Sequence, residues 1–348
     1  MEDFLNNDPT KIKWTSSLTK HLSNKKVGKL EETRVVTSLY RPFTKQYLYF
    51  DSMLIHRVGQ LPRIFPDENT VNRVICVSGI GARSFSVIIT DLIPCLDNIE
   101  KGQCFPLFLY EKEKSEKGSQ TSFLDEPSGG PTHTRHDALT DEGLAHFQQA
   151  YPGDEISKED VFYYIYGLLH STDYRERYAD NLSKELPKIP CVKKVEDFWT
   201  FSKAGRDLVE LHLNYETVDM FPAKVEGDDS KLSPEAYRVV QMQYGKKNVD
   251  GKNVKDLSTI HYNARITVSG IPEEAYEYVL NGKSAIDWVM ERQSVKMDKD
   301  SGIPNDANDW AIETMQNTRY PLELLLRVIT VSLETMKIVK ALPGLEID

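Results

Sequence analysis

The sequence predicts an α+β fold: a mixed β-sheet in the N-terminal part, then helical segments, then a β-hairpin and a helical C-terminal part. Three observations carry this. Between Val35 and Tyr110 the chain runs through β-branched and aromatic stretches punctuated by Gly and Pro. After Asp141 apolar residues recur at helical spacing, and around Asp250-Gly251 the β signal returns on both sides of a turn pair. With 348 residues, 40% hydrophobic and 28% charged, the chain can bury a sizeable core, so disorder is excluded for most of it.

Taken in order, residues 1–34 are polar and Lys-rich, with a helical candidate from Lys11 to Leu22, and are expected to form a connector. A β-rich part follows over residues 35–135. Its strand candidates, Gln46 to Phe50, Arg73 to Ser78, Ser84 to Thr90 and Phe105 to Tyr110, are read as one sheet. Glu111 to Pro131 is charged, Ser/Gly-rich and aperiodic, which suits a mobile loop. Residues 136–220 form the helical part, beginning with Asp141 to Ala150. Next comes a helix N-capped by Ser157, with Asp160 three residues on and Phe162, Ile165, Tyr166 and Leu169 on one face. Asp173 to Leu186 reads as a charged amphipathic helix stopped by Pro187, and Val195 to Tyr215 as one or two helices interrupted around Gly205. In residues 221–348, strands at Tyr237 to Tyr244 and Ser258 to Ser269 flank a Lys-rich connection, Gly245 to Leu257. Asp250-Gly251 suits a type I′ turn there, because Gly adopts positive φ without strain. Helices are expected at Pro272 to Leu280, Ser284 to Gln293 and Pro321 to Ala341, and no fixed-period repeat is present.

The formal charge of −10 is unevenly spread. Residues 11–63 hold 11 Lys/Arg against Glu31, Glu32 and Asp51, a net of +8, whereas residues 111–348 sum to −13. Such polarisation suits a protein that holds a polyanion in one place and repels it elsewhere, the bland alternative being a solvated basic segment. Cys76, Cys95, Cys104 and Cys191 form no C-x-x-C pair, so disulfides are not expected. The N-terminus lacks a basic and apolar leader pattern, and the apolar stretch Leu322 to Leu333 is interrupted by Glu323 and Arg327, so a cytoplasmic protein is expected.

Catalytic signatures are missing. No G-x-x-x-x-G-K-[ST] string or G-x-S-x-G elbow occurs. Gly79-Ile-Gly81 lacks a third Gly and leads into another β run, which reads as a hairpin turn rather than a dinucleotide site. His133, His136 and Asp137 border the Ser/Gly-rich loop, where no rigid support for a metal is evident, and the Asp298 to Asp309 stretch departs from a calcium loop by Ile303 at the required Gly. No catalytic residue, cofactor or metal is therefore expected.

What remains is the binding chemistry of the basic sector, for which double-stranded DNA is one polyanion that fits. Arg41, Lys45, Arg57 and Arg63 are interleaved with Tyr40, Phe43, Tyr47, Tyr49 and Phe65, so cations could meet phosphates while aromatics pack beneath or stack on bases; taken singly, each aromatic suits core packing better. Arg83 could present its guanidinium at the Gly79 turn, or form a surface salt bridge. Lys246, Lys247, Lys252 and Lys255 crowd the hairpin tip, and a two-stranded ribbon fits the major groove, where Asn253, Asn263 and Arg265 could read base edges; solvated loop lysines are the alternative.

Longer strings add a resemblance. YRPFTKQYLYFD (Tyr40 to Asp51), QLPRIFP (Gln60 to Pro66), VSGIGARSFSVIITDLIPCLD (Val77 to Asp97), QCFPLFLY (Gln103 to Tyr110) and later blocks such as FWTFSKAGRDLVELHLNYE and RVITVSLETMKIV resemble, in matching order, the C-terminal target recognition region of type ISP restriction-modification enzymes. The resemblance implies a sequence-specific DNA-binding module that directs adenine-N6 methylation and cleavage. Those activities would belong to methyltransferase and helicase-nuclease domains of the same polypeptide or system. The first 30 or so residues look like the edge of the methyltransferase region, yet no N-P-P-[YF] loop is present, so methyl transfer is not implied for this chain. The rival is a protein–protein docking or scaffold module using the helical segments, separable by the salt dependence of DNA binding.

Overall fold

A computed structural model describes residues 14–112, 133–229, 232–299 and 302–347. Lys11, Lys13 and most of the loop expected at 111–131 lie outside the described residues. Helix α1 (Ser16–Ser23) starts where the Thr15 hydroxyl accepts from Leu18 N at 3.3 Å. Strands β1 (Val35–Arg41) and β2 (Thr44–Tyr49) form a hairpin, and a short helix α2 (Leu61–Ile64) follows. Then come β3 (Val74–Val77), β4 (Val87–Thr90), β5 (Ile93–Pro94), β6 (Gln103–Pro106), β7 (Phe108–Lys112) and β8 (His133–Asp137).

The one N-terminal sheet expected from sequence divides, among the described residues, into β2-β1-β5, β4-β3-β6 and β7-β8. The parallel β1–β5 pair makes the first of these mixed. Two local bends account for the division. Thr90 Oγ1 accepts from Leu92 N at 3.0 Å and turns the chain from β4 into the neighbouring sheet. The Asn72 amide then takes the place of a strand partner for Phe108, donating to its carbonyl at 2.9 Å and accepting from its N–H at 3.1 Å. The turn expected after Gly79 does join β3 to β4, with Gly81 at φ +71°.

Strands β3 and β4 are apolar and buried on both faces, as continuous β-branched runs should be. Val74, Cys76 and Ile88 point into a core shared with the C-terminal part, while Ile75, Val77, Val87 and Ile89 point into the helical core. This sheet is therefore the partition between two apolar cores.

The helical layer comprises α3 (Asp141–Ala150), α4 (Lys158–His170), α5 (Thr172–Arg177), α6 (Ala179–Leu182) and α7 (Val195–Leu213). The Ser157–Asp160 capping box of α4 is complete: Ser157 Oγ accepts from Asp160 N at 3.1 Å and the Asp160 carboxylate accepts from Ser157 N at 2.9 Å. Two expectations are corrected. The single helix over Asp173 to Leu186 is broken at Tyr178 (φ −107°, ψ 17°), because buried Tyr174 reaches out of the helix to donate to the Lys188 carbonyl at 2.8 Å. The interruption at Gly205 does not occur: α7 runs through it, and Gly205 and Gly167 lie where α4 and α7 touch backbone to backbone, so that a Cβ on Gly205 would overlap the Tyr163 carbonyl.

The C-terminal part contains β9 (Lys224–Glu226), β10 (Gln243–Val249), β11 (Lys252–His261), β12 (Thr267–Ser269), β13 (Val279–Leu280), β14 (Lys283–Ser284), α8 (Ala285–Arg292), β15 (Val295–Met297), β16 (Pro304–Asp306), α9 (Ala307–Asp309) and α10 (Tyr320–Lys340). The strand expected from Tyr237 starts at Gln243 and continues into the Lys-rich segment, which is itself paired strand. Pro272 to Leu280 is a 3₁₀ turn (Glu273–Tyr276) followed by β13, since Asn281 and Gly282 at φ 50° and 72° build a tight hairpin instead of a helix end. Asn281 also ties this hairpin to the N-terminal part, accepting from Glu100 N at 3.2 Å and donating from its own N–H to Ser86 Oγ at 2.8 Å.

Candidate nucleic-acid interface

Strands β10 and β11 meet at Asp250 and Gly251, whose φ values of 51° and 77° are those a type I′ turn requires, and Asn248 Oδ1 accepts from Gly251 N at 3.0 Å. Below the turn, Asn248 faces Asn253 and Lys246 faces Lys255 on one side of the ribbon; Val249 faces Lys252 and Lys247 faces Val254 on the other. All of these side chains are exposed. Placing Lys246 directly opposite Lys255 is unfavourable in isolation, as like charges across a ladder repel. Lys255 lies 5.1 Å above the Tyr244 ring, and among the described residues none of the four lysines is in a salt bridge. The Asp256 carboxyl at the ribbon base is held below its usual range by hydrogen bonds from Ser258 and Thr259, with a smaller contribution from Lys247.

Between Tyr244 and Gly245 the register jumps from Ile260 to Asp256, leaving Leu257, Ser258 and Thr259 as extra residues on β11. Such a bulge bends a ribbon away from its parent sheet. Within that sheet, ordered β10-β11-β12-β9, Gln243 opposes His261, His261 opposes Thr267 and Thr267 opposes Glu226, so the four form one row on one face. The neighbouring row, Ile260, Val268 and Val225, faces the core. His261 Nδ1 and Thr267 Oγ1 are 3.1 Å apart, while the side chains of Gln241 and Gln243 have no hydrogen-bond partner among the described residues.

An open groove of about 710 Å³ lies over this row, lined also by Arg238, Gln241 and Arg265. It shares Val240, Gln241 and Gln243 with a second groove of about 650 Å³ beside Tyr244, Lys283 and Lys296. That one shares Glu291, Ser294 and Lys296 with a third, of about 280 Å³, which reaches Lys45 and Gln46. Two of the carboxylates along the depression, Glu291 and Asp306, are matched by cations. Glu291 is surrounded by Lys283, Arg292 at 3.0 Å and Lys296 at 3.7 Å. Burial alone would raise Asp306, but hydrogen bonds from Asn308 and Arg238 together hold its carboxyl below the usual range.

The depression thus joins Lys45, Asn263 and Arg265 with the base of the ribbon that carries Lys246, Lys247, Lys252, Asn253 and Lys255. Arg57, Arg63 and Arg83 do not line it. Lys45 donates to Glu216 at 2.5 Å, and Arg63 pairs with Glu111 at 2.9 Å. Arg41 donates to the Tyr40 carbonyl at 2.7 Å and stacks 4.2 Å over the Tyr40 ring. Asn263 is fully engaged: it donates to the carbonyls of Ala236 and Arg238 and accepts from Arg265 N and Ile266 N. Arg57 and Arg83 are exposed and have no side-chain ion pair among the described residues; the same holds for Lys20, Lys25, Lys26 and Lys29, which α1 and its exit carry toward Arg57 through the Ser17–His56 hydrogen bond of 3.0 Å. Of the aromatics, Phe43 and Phe65 are core residues, at 2% and 4% exposure, whereas Tyr47 packs against Trp310 at the surface. His133 and His136 lie on the exposed edge strand β8, and among the described residues no group of three or more His, Cys, Asp or Glu is placed to hold a metal ion.

Residues 1–324 match the family described as the Type ISP C-terminal specificity domain. The chain belongs to this family. Three solved structures are similar to the specificity domain over nearly its whole length. The ATP-dependent Type ISP restriction-modification enzyme LlaBIII bound to DNA has 34% identity and a TM-score of 0.83, over 100% of this chain and 21% of that one. A nuclease-deletion mutant of the Type ISP restriction-modification enzyme LlaGI, in complex with a DNA substrate mimic, has 35% identity and a TM-score of 0.79, over 100% and 24%. The DrdV–DNA complex has 32% identity and a TM-score of 0.76, over 99% and 31%. The specificity domain therefore spans between about a fifth and a third of these relatives. A comparison with curated proteins found no match.

Sequence reasoning on the specificity domain missed Gln243, His261 and Thr267 as one row, with Gln241 lining the same groove. Their alignment depends on the β10–β11–β12 register, which the bulge sets; the only local signal was polar residues alternating with Tyr244, Ile260 and Val268 at strand spacing. No helix among the described residues is long and apolar enough to cross a membrane.

Proposed function

We propose that this specificity domain recognises a short sequence in duplex DNA and so directs adenine-N6 methylation and cleavage carried out by other domains of the same polypeptide or system, in the cytoplasm. The observation that carries the proposal is the β10–β11 ribbon: four lysines, none in a salt bridge among the described residues, on an exposed two-stranded projection from a chain of net charge −10. A ribbon of this kind enters the major groove, where Lys246, Lys247, Lys252 and Lys255 neutralise phosphates and fix register. Asn253, near the tip, faces bases, and Arg265 approaches from the rim of the groove. Arg57, Arg63 and Arg83 extend phosphate contact beyond the depression, while Arg41, Lys45 and Asn263, held by Tyr40, Glu216 and backbone carbonyls, keep the surface in shape. The DNA in the solved structures of similar chains supports the same reading.

The test is a binding selection from random duplex DNA by the 348-residue chain. Enrichment of one motif, bound with a steep inverse dependence on salt, is the expected result. Recovery of an unenriched pool would refute the proposal.

A further inference from the structure

We propose that base edges are contacted chiefly by the exposed face of the β9–β12 sheet, with Gln241, Gln243, His261 and Thr267 as specificity-determining side chains; this rests on the DNA-recognition reading above. The sheet register places Gln243, His261 and Thr267 side by side across three strands. At roughly 4.8 Å between neighbouring strands the row covers about 10 Å. That is close to three base-pair steps at about 3.4 Å each.

The chemistry of the row favours reading over clamping. A glutamine amide offers a donor and an acceptor together, the pattern that adenine N6 and N7 meet bidentately, and a threonine presents both a hydroxyl and a methyl. Gln241 and Gln243 keep this capacity open, exposed and with no side-chain partner among the described residues. By contrast, Asn248 at the ribbon tip is committed to the turn, and Asn263, between β11 and β12, to backbone.

The surroundings complete the argument. Ribbon lysines stand beyond the row along β10 and β11, Arg265 lies in the opposite direction in the turn from β11 into β12, Arg238 lines the same groove while paired with Asp306, and Lys283 and Lys296 lie along the adjoining groove. Amide, imidazole and hydroxyl groups along the row, whose one carboxylate, Glu226, is paired with Lys224 at 2.5 Å, together with cations at the rim match the division between specifying bases and positioning phosphates. A sheet face that was merely solvated would tolerate loss of these side chains without any change in DNA preference.

Gln241→Ala, Gln243→Ala and His261→Ala are compared with the unsubstituted chain by selection from random duplex DNA, followed by salt titration on the enriched duplex. Gln241 lies outside the strands, so its variant separates recognition from any loss of sheet structure. The expected result is a preference weakened by about fivefold or more at one or two adjacent base positions, corresponding to the usual worth of a bidentate base contact, with the salt slope unchanged. A Lys246→Ala, Lys255→Ala variant should do the opposite, lowering the slope and keeping the motif. If the unsubstituted chain enriches a motif and Gln241→Ala and Gln243→Ala enrich the same motif with undiminished preference, this assignment falls and DNA recognition stands. If the unsubstituted chain enriches nothing, both fall.

Discussion

Replacing Lys246, Lys247, Lys252 and Lys255 together by alanine removes the whole positive charge of the ribbon without touching either apolar core. The fold should tolerate it, because the change also removes the repulsion between Lys246 and Lys255 across the ladder. If each lysine neutralises one phosphate, the slope of log affinity against log salt becomes shallower by about 0.9 per lysine, or roughly 3.6 for four. Between 50 and 200 mM salt, the advantage of the unsubstituted chain over the variant then shrinks by about 150-fold. Fluorescence anisotropy on a labelled duplex across that range measures both slopes. A variant with unchanged slope, folded as judged by its thermal midpoint, would refute the placement of phosphates at the ribbon.

Three further outcomes follow from the interior. Gly205→Ala forces a methyl into the Tyr163 carbonyl at the α4–α7 crossing, so stability should fall by about 1–3 kcal/mol or more, read from the denaturant midpoint. Lys45→Ala leaves half-buried Glu216 with only the Tyr320 hydroxyl as partner; a loss of about 1.5–3 kcal/mol of stability is expected, with the DNA salt slope nearly unchanged. His212 is buried between Tyr166 and Thr335, and burial pulls its pKa down to about 3. Above about pH 6.5 it is neutral whether folded or unfolded; below that the unfolded chain takes the proton first, so stability should fall by about 1.4 kcal/mol per pH unit as pH drops toward the folded value. Buried His170, lowered by burial and then by Arg175 and His212, acts in the same direction. Thermal midpoints flat between pH 7 and 5 would contradict this.

Features set by neighbours in the chain were legible in the sequence. The Ser157–Asp160 cap, the span of α3 and the Asp250-Gly251 turn follow from local rules, and the ordered strings pointed to the family. Features set by distant partners were not. Glu216 neutralises Lys45 from 171 positions away, and Gly205 reads as a helix breaker until the backbone of α4 is seen against it. Asn281-Gly282 carried a hairpin signal, but the strands it joins are only two residues each, too short to show alternation. The row on the β9–β12 sheet depends on three unpaired residues at the bulge, and slipping one strand by a single residue would have turned either Gln243 or His261 inward.

Beyond Gly245 and Asp256 the ribbon supplies no side chain to either apolar core, and its shape is kept by backbone pairing and one tight turn. Residues there can be exchanged, or pairs inserted, with little penalty to the body that carries them. Divergence between descendants can accordingly accumulate at this tip while the interior stays constant.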